Sequence, residues 1–156
     1  MKIFLIAIGQ QLPAWINEGF NEYARRLPHE CSLELIEVAA AKRFKNRPVL
    51  QQMIDEGERQ LNAVPKNCRL VALDERGALW ETQTLVQHLE DWQQQGQHIA
   101  LLVGGADGLA ENCKKAAKVH WSLSRLTLPH GLVRIIIAEQ LYRAWSIQQN
   151  HPYHRV

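Results

Sequence analysis

Residues 99–117 read IALLVGGADGLAENCKKAA, an unbroken apolar run that ends at two glycines and is followed by a helical segment. Such a run is typical of a strand that is buried on both faces of a parallel sheet. Gly104 and Gly105 end it, and ligands in open parallel sheets collect at the carboxyl ends of strands. Paired glycines let a ligand approach the backbone closely, although a lone Gly-Gly pair is more often a tight turn that binds nothing.

The same alternation of strand and helix patterns extends along the whole chain. Strand patterns cover 2–8, 33–38, 69–73, 99–103 and 122–128, and helical periodicity lies between them at 15–27, 49–61, 85–92 and 132–147. This order predicts crossover connections and an α/β fold, with a mostly parallel sheet flanked by helices. No repeat or linker interrupts it, so we expect one domain over residues 1–156. The apolar face predicted for the second helix consists of Val49, Leu50, Met53, Ile54 and Leu61.

The composition is that of an ordinary globular protein. The 156 residues are 46% hydrophobic and 22% charged, and the net charge is only +2, so total charge gives no argument for nucleic-acid binding. No apolar run is long enough to span a bilayer, and the N-terminus lacks the features of a signal peptide. The cysteines Cys31, Cys68 and Cys113 have no metal-site or redox spacing, which favours reduced thiols, a cytoplasmic location and no bound metal.

The last helical segment, residues 132–147, is apolar around nearly its whole circumference. Glu139, Arg143 and Ser146 share one narrow polar stripe. Such a helix is either central to the core or packed between the sheet and a second subunit, and in so small a domain we favour a homodimer. Arg134 lies on the apolar side, where it either meets a buried partner or extends its charged end to water.

Two further segments carry reactive or cationic side chains. Residues 39–48, AAAKRFKNRP, place Lys42 and Arg43 beside an aromatic residue, which suits an RNA contact but is also typical of a solvated loop. The closing residues 150–156, NHPYHRV, offer histidines that titrate near neutrality, a phenol and a cation. A chain terminus is more often frayed than functional.

Taken together, several motifs resemble the RlmH family, bacterial methyltransferases of the SPOUT class that act on N3 of a pseudouridine in 23S ribosomal RNA. The motifs are LLVGGADGL (101–109), SLSRLTLPHGLVRIIIAEQLYRAW (122–145) and NHPYHR (150–155), with agreement also at GFNEYARRLP (19–28) and ELIEVAAAKR (34–43). The resemblance extends essentially from end to end of the chain.

The resemblance implies a SPOUT-type domain with a C-terminal trefoil knot, which periodicity cannot reveal. It implies S-adenosylmethionine as the methyl donor, a homodimer as the active form, and the ribosome with its 23S RNA as the partner. By the same resemblance, the donor lies among three loops that carry Leu73, Gly104, Gly105, Leu123, Ser124, Arg125, Leu126, Thr127 and Leu128.

The acceptor chemistry suggests roles for the tail, because N3 of pseudouridine must lose a proton to be methylated. We expect His154 to be the base, Tyr153 to contact the flipped nucleobase, and Glu139 to be a second candidate base. Arg134 and Arg155 are candidates for holding phosphate or the developing negative charge, with Lys42 and Arg43 as further RNA contacts.

Three alternatives remain at this stage. One is a SPOUT methyltransferase for another RNA base, because a cofactor site does not specify the acceptor. Another is a non-catalytic module that binds the ribosome. The third is a small-molecule α/β enzyme, which no G-x-S-x-G motif or metal-ligand cluster supports.

Overall fold

The computed structural model describes residues 1–155. In chain order the elements are β1 Lys2–Ile8, α1 Ala14–Ala24, β2 Ser32–Val38, α2 Val49–Asn62, β3 Cys68–Leu79, α3 Thr82–Gln95, β4 His98–Val103, α4 Glu111–Ala116, β5 Val119–Ser122 and α5 His130–Gln148. Short 3-10 turns lie at His29–Cys31 and Pro152–His154. The predicted α/β fold with a parallel sheet is confirmed.

The five strands form one parallel sheet in the order β2-β1-β4-β3-β5. Helices cover both faces. On one face α1, α3 and α5 enclose the larger core, to which α5 contributes Ile137, Ala138 and Leu141. On the other face α2 and α4 enclose a smaller core that includes Cys113. All three cysteines are free thiols, as predicted, and burial raises the pKa of Cys113 to about 11.

Helix α5 is central within the chain, because it packs against both α1 and α3 as well as the sheet. Ile137, Ala138 and Ala144 are fully buried there. Its other side is less covered, and the apolar side chains that remain half-buried include Leu132, Ile136 and Ile147. The helix therefore has a core side and a second apolar side that this chain covers only in part.

The strand predicted at 122–128 is wrong in position, because β5 is Val119–Ser122 and the residues after it form a loop. The serines explain the error. Ser122 Oγ donates a hydrogen bond to the Ser124 carbonyl at 3.0 Å, and the Leu126 N–H donates to Ser124 Oγ at 2.9 Å. Serine hydroxyls that bond to nearby backbone groups stabilise turns in place of a strand. The alternation of polar and apolar residues thus reflects a loop.

Strand β3 is longer than the predicted 69–73 because it contains a bulge. Trp121 of β5 is in register with both Leu73 and Ala78, so residues 74–77 lie outside the ladder. The Arg76 N–H donates to Asp74 Oδ1 at 3.1 Å within this bulge. Asp74 is the first residue of the bulge and lies at the point where the first half of the strand leaves the sheet.

The apolar face predicted for α2 is wrong in its first turn, although Leu61 in the last turn packs against the smaller core as predicted. Val49 and Leu50 are exposed, whereas the polar residues Gln52, Glu56 and Gln60 are buried. The reason is that α2 lies against the carboxyl ends of β1 and β4, where backbone carbonyls need donors. Gln60 Nε2 donates to the carbonyls of Ile6 at 2.6 Å and Val103 at 3.0 Å.

Candidate active site

A cleft with a volume of about 1170 Å³ lies at the carboxyl ends of β3, β4 and β5. Its walls are the loop after β4, the loop after β5, the first turn of α5, and Leu50 and Met53 of α2. Eight of the nine residues expected around the cofactor line it: Leu73, Gly104, Gly105, Leu123, Ser124, Leu126, Thr127 and Leu128. The ninth, Arg125, is exposed and is not among the lining residues.

The loop that follows β4, residues 104–108, is called the glycine loop here, and it can form only with glycine at its first position. A Cβ on Gly104 would lie 2.2 Å from the backbone carbon of Gly108. The loop closes through a hydrogen bond from the Gly108 N–H to the Gly105 carbonyl at 3.1 Å, and Gly108 has a φ of +90°. The result is a wall of bare backbone that a ligand can approach closely.

Acidic side chains surround the cleft, and the sequence analysis did not single them out. Asp74, Glu75, Asp107 and Glu111 all line it, together with the cation Lys114. Their signal was their position, since each follows the carboxyl end of a strand. The cleft consequently has an excess of negative charge.

Asp74 is the most enclosed of these acids. Its side chain is 9% exposed, Lys114 Nζ lies 3.6 Å from Oδ1, and His120 Nδ1 lies 3.3 Å from Oδ2. Burial alone would raise the pKa of Asp74, but the Arg76 N–H, His120 and Lys114 together lower it below its ordinary value. Asp74 is therefore held as a carboxylate at the edge of the cleft.

The C-terminal tail is folded back on α5 through its described residues. The His151 N–H donates to the Ser146 carbonyl at 2.8 Å, and His151 Nδ1 accepts from the Tyr153 N–H at 3.2 Å. Tyr153 in turn donates from its hydroxyl to Glu139 Oε1 at 2.9 Å. Residues 151–154 are thus fixed by specific bonds, which a frayed terminus would lack.

Glu139 is the centre of this tail network. Its Oε1 also accepts from Arg143 Nε at 2.9 Å, which is the i,i+4 pair that the sequence suggested. The Arg143 guanidinium lies 5.0 Å from the centre of the Tyr153 ring. Burial and the neighbouring Glu139 carboxylate raise the pKa of Tyr153, so its phenol stays protonated at neutral pH.

His154 borders a second, open pocket of about 460 Å³, lined also by Thr82, Gln140, Arg143 and Ile147. Its Nδ1 is buried and accepts no hydrogen bond from the described residues. The cleft and this tail pocket share no residue. The structure therefore groups Glu139 and Tyr153 in one network beside His154, and separates all three from the cleft within one chain.

The expectation that Arg134 holds RNA phosphate is wrong for this structure, because its side chain is 0% exposed. Nη1 donates to Glu37 Oε2 at 2.8 Å, and Nη2 donates to the Gly9 carbonyl at 2.9 Å. Of the two interpretations from the sequence, the buried ion pair is the correct one. The other RNA candidates, Lys42, Arg43 and Arg155, are exposed.

A family model described as "Predicted SPOUT methyltransferase" matches residues 1–154. The chain belongs to the SPOUT methyltransferase family. Similar curated proteins of Nitrosococcus oceani, Methylococcus capsulatus and Thioalkalivibrio sulfidiphilus are each named ribosomal RNA large subunit methyltransferase H. They are 54%, 52% and 53% identical to this SPOUT chain over 155 residues, which is 99% of the chain and 99–100% of theirs.

Solved structures agree with the SPOUT assignment at the level of the fold. A protein from Neisseria gonorrhoeae assigned to a methylase family matches with a TM-score of 0.56 and 14% identity, over 90% of this chain and 81% of its own. A protein from Legionella pneumophila assigned as a methyltransferase, and solved with bound SAM, matches with a TM-score of 0.50 and 12% identity, over 92% and 66%. The predicted SPOUT-type fold is confirmed, while the trefoil knot stays a prediction.

No helix among residues 1–155 is long and apolar enough to cross a membrane. Within the same residues, no three His, Cys, Asp or Glu side chains are grouped closely enough to hold a metal ion.

Proposed function

We propose that this protein methylates N3 of a pseudouridine in 23S ribosomal RNA, with S-adenosylmethionine as the donor and the ribosome as the substrate. Supporting this proposal are the relatives, more than half identical over nearly their whole length and named for large-subunit ribosomal RNA methylation. The observation that carries it is the cleft, whose glycine loop and β5 loop match the segments expected around the donor. Action on the ribosome places the protein in the cytoplasm.

The residues of the cleft fit S-adenosylmethionine. The donor carries a cationic sulfonium and an ammonium group, and the carboxylates of Asp74, Glu75, Asp107 and Glu111 give the cleft the complementary charge. Leucine side chains from the β5 loop provide apolar surface for an adenine ring. When bound, the donor supplies an electrophilic methyl group, and the task of the protein is to align the acceptor nitrogen with it.

The tail supplies the groups that the acceptor needs. We assign His154 to take the proton from N3, since its buried Nδ1 has no partner among the described residues. Tyr153, whose single O–H is donated to Glu139, stacks on the nucleobase or accepts a hydrogen bond from it. Glu139 already accepts from Tyr153 and Arg143, and also from Gln140 at 2.7 Å, which favours an orienting role for it over that of a base. Arg155 and Lys42, both exposed, remain candidates for contacts to RNA phosphates.

The active form is a homodimer in which the tail of one chain closes over the cleft of its partner. The cleft uses residues 130 and 133 of α5 and the tail pocket uses residues 140–147, so their midpoints lie about 18 Å apart along the helix at 1.5 Å per residue. Methyl transfer requires the reacting atoms about 3 Å apart. The half-buried apolar side of α5 is the surface that would pair the two chains.

Mixed dimers test the shared site. One chain carries His154→Ala and an intact cleft, and the other carries Gly104→Ala and an intact tail. If the tail acts across the dimer, each mixed dimer has one complete site and recovers up to half of the wild-type methylation. If the tail acts on its own cleft, mixed dimers are as inactive as the two parents.

Mass spectrometry of 23S RNA nucleosides tests the reaction itself. Ribosomes that lack the modification are incubated with the protein and S-adenosylmethionine, and N3-methylpseudouridine is expected. A methyl mark on a different base would mean another acceptor. Donor binding without any mark on ribosomes would move the search to another RNA, and failure to bind the donor in calorimetry would favour a non-catalytic ribosome-binding module.

A further inference from the structure

We propose that Arg43 is a positioning residue for the cleft. Arg43 joins α2 to the glycine loop, and this link sets the affinity for the donor. The identity of the donor rests on the proposed function. The role of Arg43 in linking the segments is argued only from its contacts, which join three segments that are distant from one another in sequence. These segments are the loop after β2, helix α2 and the glycine loop.

The Arg43 guanidinium binds two carboxylates at once. Nη1 lies 2.7 Å from Glu56 Oε1 on α2, and Nη2 lies 2.7 Å from Asp107 Oδ2 in the glycine loop. Nη1 also donates to the Ala41 carbonyl at 3.1 Å. A planar guanidinium with donors on both nitrogens can join two acceptors in this way, whereas a lysine ammonium lacks the fork. We call these contacts the Arg43 bridge.

Glu56 fixes one end of the bridge. Its side chain is 3% exposed, and its Oε1 accepts from the Ala41 N–H at 3.1 Å. A buried carboxylate without a cation is costly, so Glu56 holds Arg43 in place. With Glu56 and Asp107 at its two nitrogens, Arg43 is part of a group whose summed charge is negative. Such a group is poorly suited to attract RNA phosphate.

Asp107 is the other end, and it belongs to the cleft. It lines the cleft together with Leu50, Met53 and Ile54 from α2, whereas Arg43 is not among the lining residues. The bridge therefore fixes the α2 wall of the cleft relative to the glycine-loop wall. Without it, the glycine loop keeps its internal hydrogen bond between Gly108 and Gly105, and Gln60 of α2 still bonds to the Val103 carbonyl before the loop, but Asp107 loses its link to α2.

Calorimetric titration with S-adenosylmethionine tests the bridge. For Arg43→Gln, the Kd is expected to rise about threefold to tenfold, the range for loss of a charge-assisted contact of this exposure. Lys42→Gln is the matched control, because it removes the same charge from the adjacent exposed residue and is expected to leave the Kd unchanged. Arg43→Lys should give an intermediate Kd. The double variant Arg43→Gln with Asp107→Asn should have a donor Kd no higher than that of the single variant with the higher Kd, because both substitutions remove the same Arg43–Asp107 contact.

Hydrogen exchange of residues 104–109 without ligand is the second measurement. Faster exchange at these residues is expected in Arg43→Gln and not in Lys42→Gln. The melting temperature of Arg43→Gln should also fall, because Glu56 loses its cation, so exchange is compared at a temperature where both variants are fully folded. Wild-type Kd and wild-type exchange in Arg43→Gln would overturn the bridge. An equal rise of the KM for ribosomes in both variants, with the donor Kd unchanged, would also overturn it and make both residues RNA contacts. A wild-type protein that does not bind the donor overturns the proposed function instead, while the exchange experiment still decides the bridge.

Discussion

Tyr153 donates a hydrogen bond of 2.9 Å to Glu139, fourteen residues earlier in the chain. The bond ties the tail to the helix that begins at the cleft. It also leaves the phenolic proton on Tyr153, because burial and the Glu139 carboxylate raise the pKa of that hydroxyl. The tail is therefore a preorganised structure before any RNA binds, which reduces the entropy cost of forming the site.

Tyr153→Phe should weaken the tail while leaving the cleft intact. Loss of one hydrogen bond to a carboxylate costs about 1–3 kcal/mol locally, and Glu139 retains Arg143 as a partner. We expect a lower kcat for ribosome methylation and an unchanged donor Kd in calorimetry. A kcat equal to that of the wild type would show that the bond is dispensable.

His154→Ala should remove the base. General-base catalysis contributes about 10²–10⁴-fold, so kcat should fall by that order, with the donor Kd unchanged. The control is His29→Ala, at an exposed histidine in the turn before β2. Full methylation of ribosomes by His154→Ala would contradict the assignment and shift attention to Glu139.

Gly104→Ala should abolish donor binding, because its Cβ would meet the backbone of Gly108 at 2.2 Å. Gly105→Ala is the graded control, since its Cβ would meet only Ile8 Cγ2, at 3.0 Å. Calorimetry should give no measurable binding for the first variant and a smaller loss for the second. Equal affinities in the two variants would mean that the tight closure of the loop does not shape the cleft.

Arg134→Met should destabilise the fold itself. It leaves the Glu37 carboxylate and the Gly9 carbonyl without their donor, and breaking a buried pair costs about 3–5 kcal/mol, reduced here because Glu37 is partly exposed. Urea unfolding should show a loss of about 2–4 kcal/mol, against less than about 0.5 kcal/mol for the exposed control Lys42→Met. Equal unfolding midpoints would contradict the structural role of the pair.

Acid stability should depend on Asp74. Its folded-state pKa is lowered from 3.8, so its carboxylate contributes stability above pH 3.8 that is lost as the pH falls below this value. Urea unfolding between pH 5 and pH 2.5 should show a steeper loss for the wild type than for Asp74→Asn. His120→Gln removes one partner and should reduce the steepness partly. Parallel curves for all three proteins would exclude Asp74 as a contributor.

The sequence was sufficient to predict the parallel sheet and the loops that line the cleft, because apolar runs and glycine turns are local signals. It was insufficient where polar groups satisfy the backbone at a distance. The burial of Gln60 could not be predicted, because nothing near it in sequence shows that the carbonyls of Ile6 and Val103 need a donor. The residues after β5 were mispredicted for a different reason: Ser122 and Ser124 bond to backbone groups two residues away, and their alternation with apolar residues resembles that of a strand.

The residues of the site likewise divide into those that local sequence signals indicate and those whose contacts depend on tertiary packing. Gly104 and Gly105 were predictable as a turn at a strand end, and Arg134 as a cation on an apolar face. That Arg134 meets Glu37, ninety-seven residues earlier, depends on tertiary packing alone. Likewise, Asp74 lies at the cleft because β3 contains a bulge, which the periodicity of the sequence does not indicate.

The length of helix α5 limits the insertions and deletions that the protein can accept. The helix starts at the cleft and ends at the tail, so it works as a rigid spacer between the two. Removing one residue between Glu139 and Gln148 would shift the tail by about 1.5 Å relative to Glu139 and rotate it by about 100° around the helix axis. Tyr153 would then face away from Glu139. The length of α5 is thus constrained as tightly as the identity of any single residue, and a change in length would separate the tail from its site without disturbing the chemistry of either.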